Sequence, residues 1–107
     1  MNAREHARAQ VVAVAEGMIG GRIGIIEGAR TLVALGRALT DDSLDDDFIT
    51  FVAIDSETDS LPMGEVRKLW AVDSRVAKDA QIDEVEILYR ERAFDSCRKL
   101  LARFRQP

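Results

Sequence analysis

The chain has 107 residues, of which 47% are apolar and 32% charged, and this usage is that of a globular protein rather than a disordered or fibrous one. It carries 19 acidic and 15 basic residues, a net charge of -4, with no block of lysine and arginine, which disfavours a general nucleic-acid binder. A single cysteine excludes an intrachain disulfide framework and fits a reducing compartment. We expect one domain over residues 1–107.

Near the N-terminus the uninterrupted apolar run is only Val11 to Ala15, and Glu16 follows it directly. A secretory signal needs a longer apolar stretch, and a membrane span needs roughly 20 residues. The sequence therefore predicts a cytoplasmic protein that does not associate with a membrane.

Apolar residues at helical spacing predict a first helix over residues 3–19 and a second over 23–39. Gly20 and Gly21 separate the two and predict a turn. The first helix carries Ala7, Val11, Val14, Ala15 and Met18 on one side. The apolar face of the second consists of Ile25, Ile26, Ala29, Leu32, Val33, Gly36 and Leu39.

The segment FITFVAI, residues 48–54, is apolar almost all round and fits either a buried strand or a buried helix. No other segment offers a convincing partner strand, so we prefer a buried helix over residues 45–58. The sequence LPMG, residues 61–64, predicts a turn, and residues 65–70 predict one short helical turn.

A long helix is predicted from Asp73 or Ser74 to Phe104. Its seam has a seven-residue step and consists of Val76, Ala80, Ile87, Phe94, Cys97, Leu101 and Phe104. Asp83 and Arg90 interrupt this seam. At about 45 Å the helix is longer than a small domain needs, so we expect part of it to extend beyond the core or to pack on a second copy. The predicted fold is all-α, a small irregular four-helix bundle with a long C-terminal helix.

The most suggestive polar segment follows the third helix's apolar run. Asp55 and Asp59 lie one helical turn apart, with Glu57 between them. Glu27, Arg30 and Arg67 are candidate partners. One interpretation is a divalent-metal or general acid–base site, and the other is a structural salt bridge. We prefer the salt bridge, because a metal site normally recruits histidine or further carboxylates from other helices.

Other residue types that often carry chemistry lack the necessary context. The glycines at 20, 24 and 28 have no preceding strand and no following Lys-Ser/Thr, so they do not form a phosphate-binding loop. The acidic cluster 41–47 lacks the glycine and glutamate of a calcium loop. His6 is close to a chain end, and Cys97 lies on the apolar seam as a small hydrophobe. We expect no catalytic residues, no metal and no cofactor.

Three segments, GRIGIIEGAR (21–30), FVAIDSETDSLPMGEVRKLW (51–70) and CRKLLARF (97–104), resemble those of a family of small bacterial proteins. That family has a G-x-I-x-x-I-E-G-A-R element and a D-S-E-T-D-x-L-P-x-G-x-V-R-x-x-W element. The resemblance implies no particular activity, and an accessory or immunity-like binder is only an analogy. It directs attention to Ile26, Glu27, Asp55, Glu57, Asp59, Pro62 and Trp70.

The resulting functional hypothesis is a non-enzymatic protein-interaction module that forms a homodimer or other homo-oligomer through the long helix. Its expected interface anchors are the aromatic and leucine side chains Tyr89, Phe94, Leu101 and Phe104. The alternative is a small carboxylate-based enzyme or metal-dependent binder centred on Asp55–Asp59. A third hypothesis, a regulator that meets nucleic acid through the basic end of the last helix, is disfavoured by the negative net charge. The sequence does not identify a further protein partner.

Overall fold

The computed structural model describes residues 2–41, 45–59 and 72–105. In these ranges the chain forms four helices and no strand, which confirms the predicted all-α bundle with a long C-terminal helix. The helices are α1 (Ala3–Ile19), α2 (Ile25–Leu39), α3 (Ile49–Thr58) and α4 (Val72–Phe104).

The second sequence element that carries the family resemblance falls partly outside this description. The predicted turn over 61–64 and the short helix over 65–70 both lie beyond the described residues. So do Pro62, Arg67 and Trp70.

α1 has the predicted bounds, and the Oδ1 atom of Asn2 caps it by accepting a hydrogen bond from the Glu5 N–H at 2.8 Å. The predicted turn after it is confirmed, because Gly21 has a φ of 77°, which glycine adopts without strain. The turn is longer than expected, since the N–H groups of Arg22 and Ile23 both donate to the Gly17 carbonyl. α2 therefore begins at Ile25 instead of residue 23.

Every residue of the predicted apolar face of α2 is buried. Two glycines on this helix permit close packing. A Cβ at Gly28 would overlap the Met18 side chain, and one at Gly36 would lie 2.9 Å from a ring carbon of Phe48. The small residues thus allow α1 and the residue preceding α3 to approach α2 closely.

α3 confirms the preference for a helix over a strand in the 48–54 run, but two details of that prediction are wrong. The helix begins at Ile49 instead of residue 45, because residues 45–48 form a turn in which the Asp45 carbonyl accepts from Phe48 and Ile49 at 3.0 Å. Nor is it buried all round. Ile49 and Val52 are 41% and 38% exposed, whereas Phe51 is fully buried.

α4 begins at Val72, slightly earlier than predicted, and its fully buried residues lie in its C-terminal part. The predicted seam divides along the helix: Cys97 and Phe104 are buried, whereas Val76, Ala80 and Ile87 are exposed. The reason is length. The 33 residues of α4 extend about 50 Å, close to the molecule's 48 Å long dimension, whereas the 17 residues of α1 extend about 26 Å.

All four helices contribute to one apolar core. Its fully buried members include Val11 of α1, Ile26 and Leu32 of α2, Phe51 of α3 and Leu100 of α4. Among the described helices, none combines the length and the apolar composition that crossing a bilayer requires.

Candidate functional site

Arg30, one of the candidate partners, lies near Asp55 between α2 and α3. The Arg30 Nε atom lies 3.8 Å from the Asp55 Oδ1 atom, and both side chains are about one-third exposed. The same guanidinium donates a hydrogen bond to the carbonyl of Thr58, at the end of α3. The buried Thr58 hydroxyl in turn donates to the Ile54 carbonyl at 2.6 Å. Arg30 therefore satisfies one of the carbonyls that a helix end leaves without a partner.

Glu57 contacts α4 instead of this ion pair. Its carboxylate accepts a hydrogen bond from the Tyr89 hydroxyl, and this bond, together with burial, raises the pKa of Tyr89. The guanidinium of Arg92 covers the same ring, 5.2 Å from its centre. Glu57 and Tyr89 thus connect the last turn of α3 to the middle of α4.

Glu27, also on α2, lies within electrostatic reach of Glu86 on α4. Partial burial raises the pKa of Glu86, and the negative charges of Asp83 and Glu27 raise it further, while Arg90 acts in the opposite direction. Asp59, the last member of the predicted carboxylate set, is exposed.

The structure consequently divides the predicted polar set into separate contacts. It brings Arg30 and Asp55 together, but it places Glu57 against Tyr89 and Glu27 near Glu86. In the part of the chain that is described, no three histidine, cysteine or carboxylate side chains lie close enough to hold a metal ion. The observed contacts are polar contacts that hold neighbouring helices together.

The basic end of α4 is partly neutralised by acidic side chains of the same chain. Arg103 donates to Asp45 at 2.9 and 3.0 Å and to Asp47 at 3.1 Å. These bonds outweigh the opposing effect of burial and raise the pKa of Arg103. Arg105 pairs with Glu16. The positive charge that the nucleic-acid hypothesis requires is therefore partly used in holding α4 against α1 and the turn before α3.

The four expected interface anchors contact the core of their own chain. Tyr89 and Phe104 are buried members of that core, and Phe94 and Leu101 are half-buried against it. The Phe104 ring also lies 6.0 Å from the Phe48 ring, measured between centres. These side chains therefore stabilise the fold of the single chain.

Cys97 is the small buried hydrophobe that its position in the seam predicts. Burial raises the pKa of its thiol to about 11, and the adjacent Arg98 offsets only part of that effect. Its sulfur lies 3.8 Å from the Met18 sulfur. A thiol of this kind is almost wholly protonated at neutral pH and is a poor nucleophile.

One feature that sequence reasoning missed is a cleft of about 330 Å³ between the end of α2 and the start of α3. Its walls are mostly apolar, with Arg37 and Asp41 among the polar groups. The lining residues are Val33, Gly36, Arg37, Thr40, Asp41, Phe48 and Val52. The available signal was the apolar run 48–54, which is too apolar all round for a helix with a single buried face.

A second feature was predicted only in part: the sequence indicated that α4 extends beyond the core, but not which residues it leaves exposed. Val76, Ile87 and Leu88 are 65%, 69% and 70% exposed. We use the name outer stripe for one exposed side of this helix, which Val76, Ala80, Asp83, Ile87, Arg90 and Phe94 form. Its signal was the seven-residue step of the predicted seam, since four of these six positions belong to it.

Comparison with protein-family models finds no match, and the comparisons with curated proteins and with solved structures find none either. Function is therefore inferred from the geometry of this chain.

Proposed function

We propose that the protein is a non-enzymatic interaction module that self-associates through the exposed side of α4. The observation that carries this proposal is the exposure of Val76 and Ile87 on the N-terminal half of α4, which the other three helices leave largely uncovered. Each large apolar side chain gains about 1.5–3 kcal/mol when it is moved fully from water into an apolar contact. A second chain that covers this side of α4 supplies that contact.

The polar contacts of the bundle support the same proposal. Arg30 and Asp55 fasten α3 to α2, and Glu57 binds Tyr89, so these candidate site residues have structural partners within the chain. We propose the bacterial cytoplasm as the setting, from the family resemblance and the lone cysteine. Fractionation of cells that express the untagged chain tests this setting, and recovery in the membrane or periplasmic fraction would contradict it.

Light scattering after size-exclusion chromatography, over a concentration series, tests self-association directly. We expect the mean mass to rise from one chain toward two as the concentration increases. Replacing both Val76 and Ile87 with glutamate should hold the protein at the mass of one chain. These positions are exposed, so the variant should retain the far-ultraviolet circular dichroism of the wild type.

The matched control replaces the other exposed apolar pair, Ile49 and Val52 on α3, with glutamate. We expect this control to associate as the wild type does. A wild-type chain that stays monomeric over the whole series would overturn the proposal. Loss of association in the α3 variant alone would assign the contact to α3 and its cleft.

A further inference from the structure

We propose that the second copy binds antiparallel along the outer stripe of α4, with the two-fold axis near residue 85. In this arrangement Asp83 of each copy pairs with Arg90 of the other. The proposal rests on the self-association proposed above and adds its orientation and its register. What carries it is the pattern of charge and size along the stripe.

The outer stripe has the spacing of a coiled-coil seam. Its positions, 76, 80, 83, 87, 90 and 94, alternate between steps of four and three residues, which keeps them on one side of a helix. All of them are exposed except Phe94, which is half-buried where the stripe reaches the core. Leu88 is equally exposed but lies about 100° around the helix from Ile87, and so it is outside the stripe.

The spacing of the outer stripe is the same when it is read in either direction along the helix. When two copies run antiparallel about residue 85, each position meets another position of the stripe. The facing pairs are Val76 with Phe94, Ala80 with Arg90, and Asp83 with Ile87. The small Ala80 then lies opposite the long Arg90, and the apolar ends of the stripe meet each other. The two polar residues that interrupt the seam, Asp83 and Arg90, therefore lie opposite Ile87 and Ala80 of the other copy.

Charge selects this orientation over the parallel one. In the antiparallel pair, Arg90 of one copy lies about 4.5 Å along the axis from Asp83 of the other, within reach of its side chain. Within one chain the same two residues are about 10.5 Å apart along the axis. A parallel pair in register would place Asp83 against Asp83 and Arg90 against Arg90. Polar residues inside a seam commonly fix orientation in this way.

Spin labels at position 76 measure the orientation. The Val76→Cys variant is labelled, and the distance between the two labels in the pair is read by pulsed electron resonance. Antiparallel helices centred on residue 85 place the two attachment points about 27 Å apart along the axis. Parallel helices place them about 10 Å apart. The wild-type chain is the labelling control, since Cys97 is buried and its thiol has a raised pKa.

Charge exchange measures the Asp83–Arg90 contact by the dissociation constant of the pair. Asp83→Arg and Arg90→Asp, made singly, should each weaken association by about tenfold, which corresponds to about 1.4 kcal/mol. The variant that carries both changes should return to within about threefold of the wild type, because each copy again offers opposite charges. Single changes that do not weaken association would overturn the contact.

A further pair of variants tests which side of α4 forms the contact between the two copies. Ile87→Lys, inside the outer stripe, should abolish association, whereas Leu88→Lys, with the same exposure in the single chain, should leave most of it. The opposite result would overturn the stripe.

These outcomes separate the orientation from the proposed function. A wild-type chain that never associates overturns both. A pair in which the labels at position 76 lie close together overturns the antiparallel arrangement and leaves self-association in place. Labels roughly 30 Å apart, with recovery in the doubly exchanged variant, support both proposals.

Discussion

The two halves of α4 have the same secondary structure but different surroundings. In the C-terminal half, residues 89–104, one face is fully covered by the other helices, and Ala93, Cys97 and Leu100 have no exposed surface. In the N-terminal half, residues 76–88, the partly buried Ile82 and Val85 are the main contacts with the core, and large apolar side chains are exposed. Helical propensity does not separate the halves. The halves differ because α1, α2 and α3 are shorter than α4 and cover only part of its length.

The charges of the two halves differ in the same way. In the covered half, residues 89–104, the Arg103 side chain reaches two carboxylates of another segment, those of Asp45 and Asp47. In the uncovered half, residues 76–88, the acidic side chains lie beside one another, and the pKa of Glu86 is raised. The contacts that hold α4 against other elements are therefore concentrated in its C-terminal half, and the N-terminal half is where we propose the contact with a second chain.

The largest expected effect compares two leucines on α4. Leu100→Ala should lower the free energy of unfolding by about 2–5 kcal/mol, because it opens a cavity at a fully buried position. Leu88→Ala should change it by less than about 0.5 kcal/mol, since that side chain is mostly exposed. Urea denaturation at a concentration where the chain is monomeric measures both.

Equal losses for the two variants would contradict the division of α4 into a covered and an uncovered half. A loss for Leu88→Ala that appears only at high protein concentration would place that side chain in a contact between chains.

The next effect concerns the contact between α2 and α3. Arg30→Met should lower the free energy of unfolding by about 1–2 kcal/mol, since it leaves the Thr58 carbonyl without its donor as well as breaking the ion pair. Asp55→Asn removes only the partly exposed ion pair and should cost less than about 1 kcal/mol. Thermal or urea unfolding of the two variants gives this order.

The same variants test the carboxylate-based alternative. Thermal unfolding with and without magnesium or manganese should give the same midpoint for the wild type and for Asp55→Asn. A rise in the wild-type midpoint that Asp55→Asn abolishes would favour a metal-dependent binder at this position.

Much of the fold follows from spacing alone. The bounds of α1 and the buried face of α2 were predictable because apolar residues repeat at helical steps and Gly20-Gly21 interrupts them. The start of α3 was not, because the turn at Asp45 depends on contacts that are distant in sequence. One of these is the pairing of Asp45 with Arg103, 58 positions away.

In the candidate site, too, the contacts between residues distant in sequence could not be predicted from spacing. The cost of burying a carboxylate beside an apolar run predicted a partner for Asp55, but it left Glu27, Arg30 and Arg67 all open as candidates. The binding of Glu57 to Tyr89 was not predictable, because periodicity gives the faces of α3 and α4 without their relative rotation. Nor does the repeat of the α4 seam say where the covering helices stop, so Val76 and Ile87 had the same pattern as Cys97.

A smaller effect compares two arginines on α4. Arg103→Gln should lower the free energy of unfolding by about 1 kcal/mol, since it removes bonds to Asp45 and Asp47 from a partly exposed network. Arg90→Gln, in a monomeric sample, should change it by less than about 0.5 kcal/mol. Urea unfolding at low and at high salt measures both, and salt should reduce the Arg103 effect. A larger loss at Arg90 would contradict the assignment of Arg90 to a contact between chains.

The smallest expected effect lies where the covered half begins, at the Tyr89–Glu57 contact. Tyr89 is the only tyrosine in the chain, so the absorbance of the phenolate reports this residue alone. Because the negative Glu57 carboxylate accepts the hydroxyl's hydrogen bond and raises the pKa of Tyr89, Glu57→Gln should lower that pKa toward its ordinary value of 10.0. An absorbance titration of the wild type and the variant measures the change.

The sign of the linked stability change follows from the same shift. A pKa that is raised on folding stabilises the folded chain below the unfolded-state pKa, and this contribution is lost as the pH rises through the higher folded-state value. The wild type should therefore exceed Glu57→Gln in stability at neutral pH, by less than about 1 kcal/mol, and the difference should vanish in strong alkali. If the two chains titrate alike, Glu57 does not bind Tyr89 in solution. Tyr89 is buried against the core in either case, so this result would remove one link between α3 and α4 and leave the division of α4 unchanged.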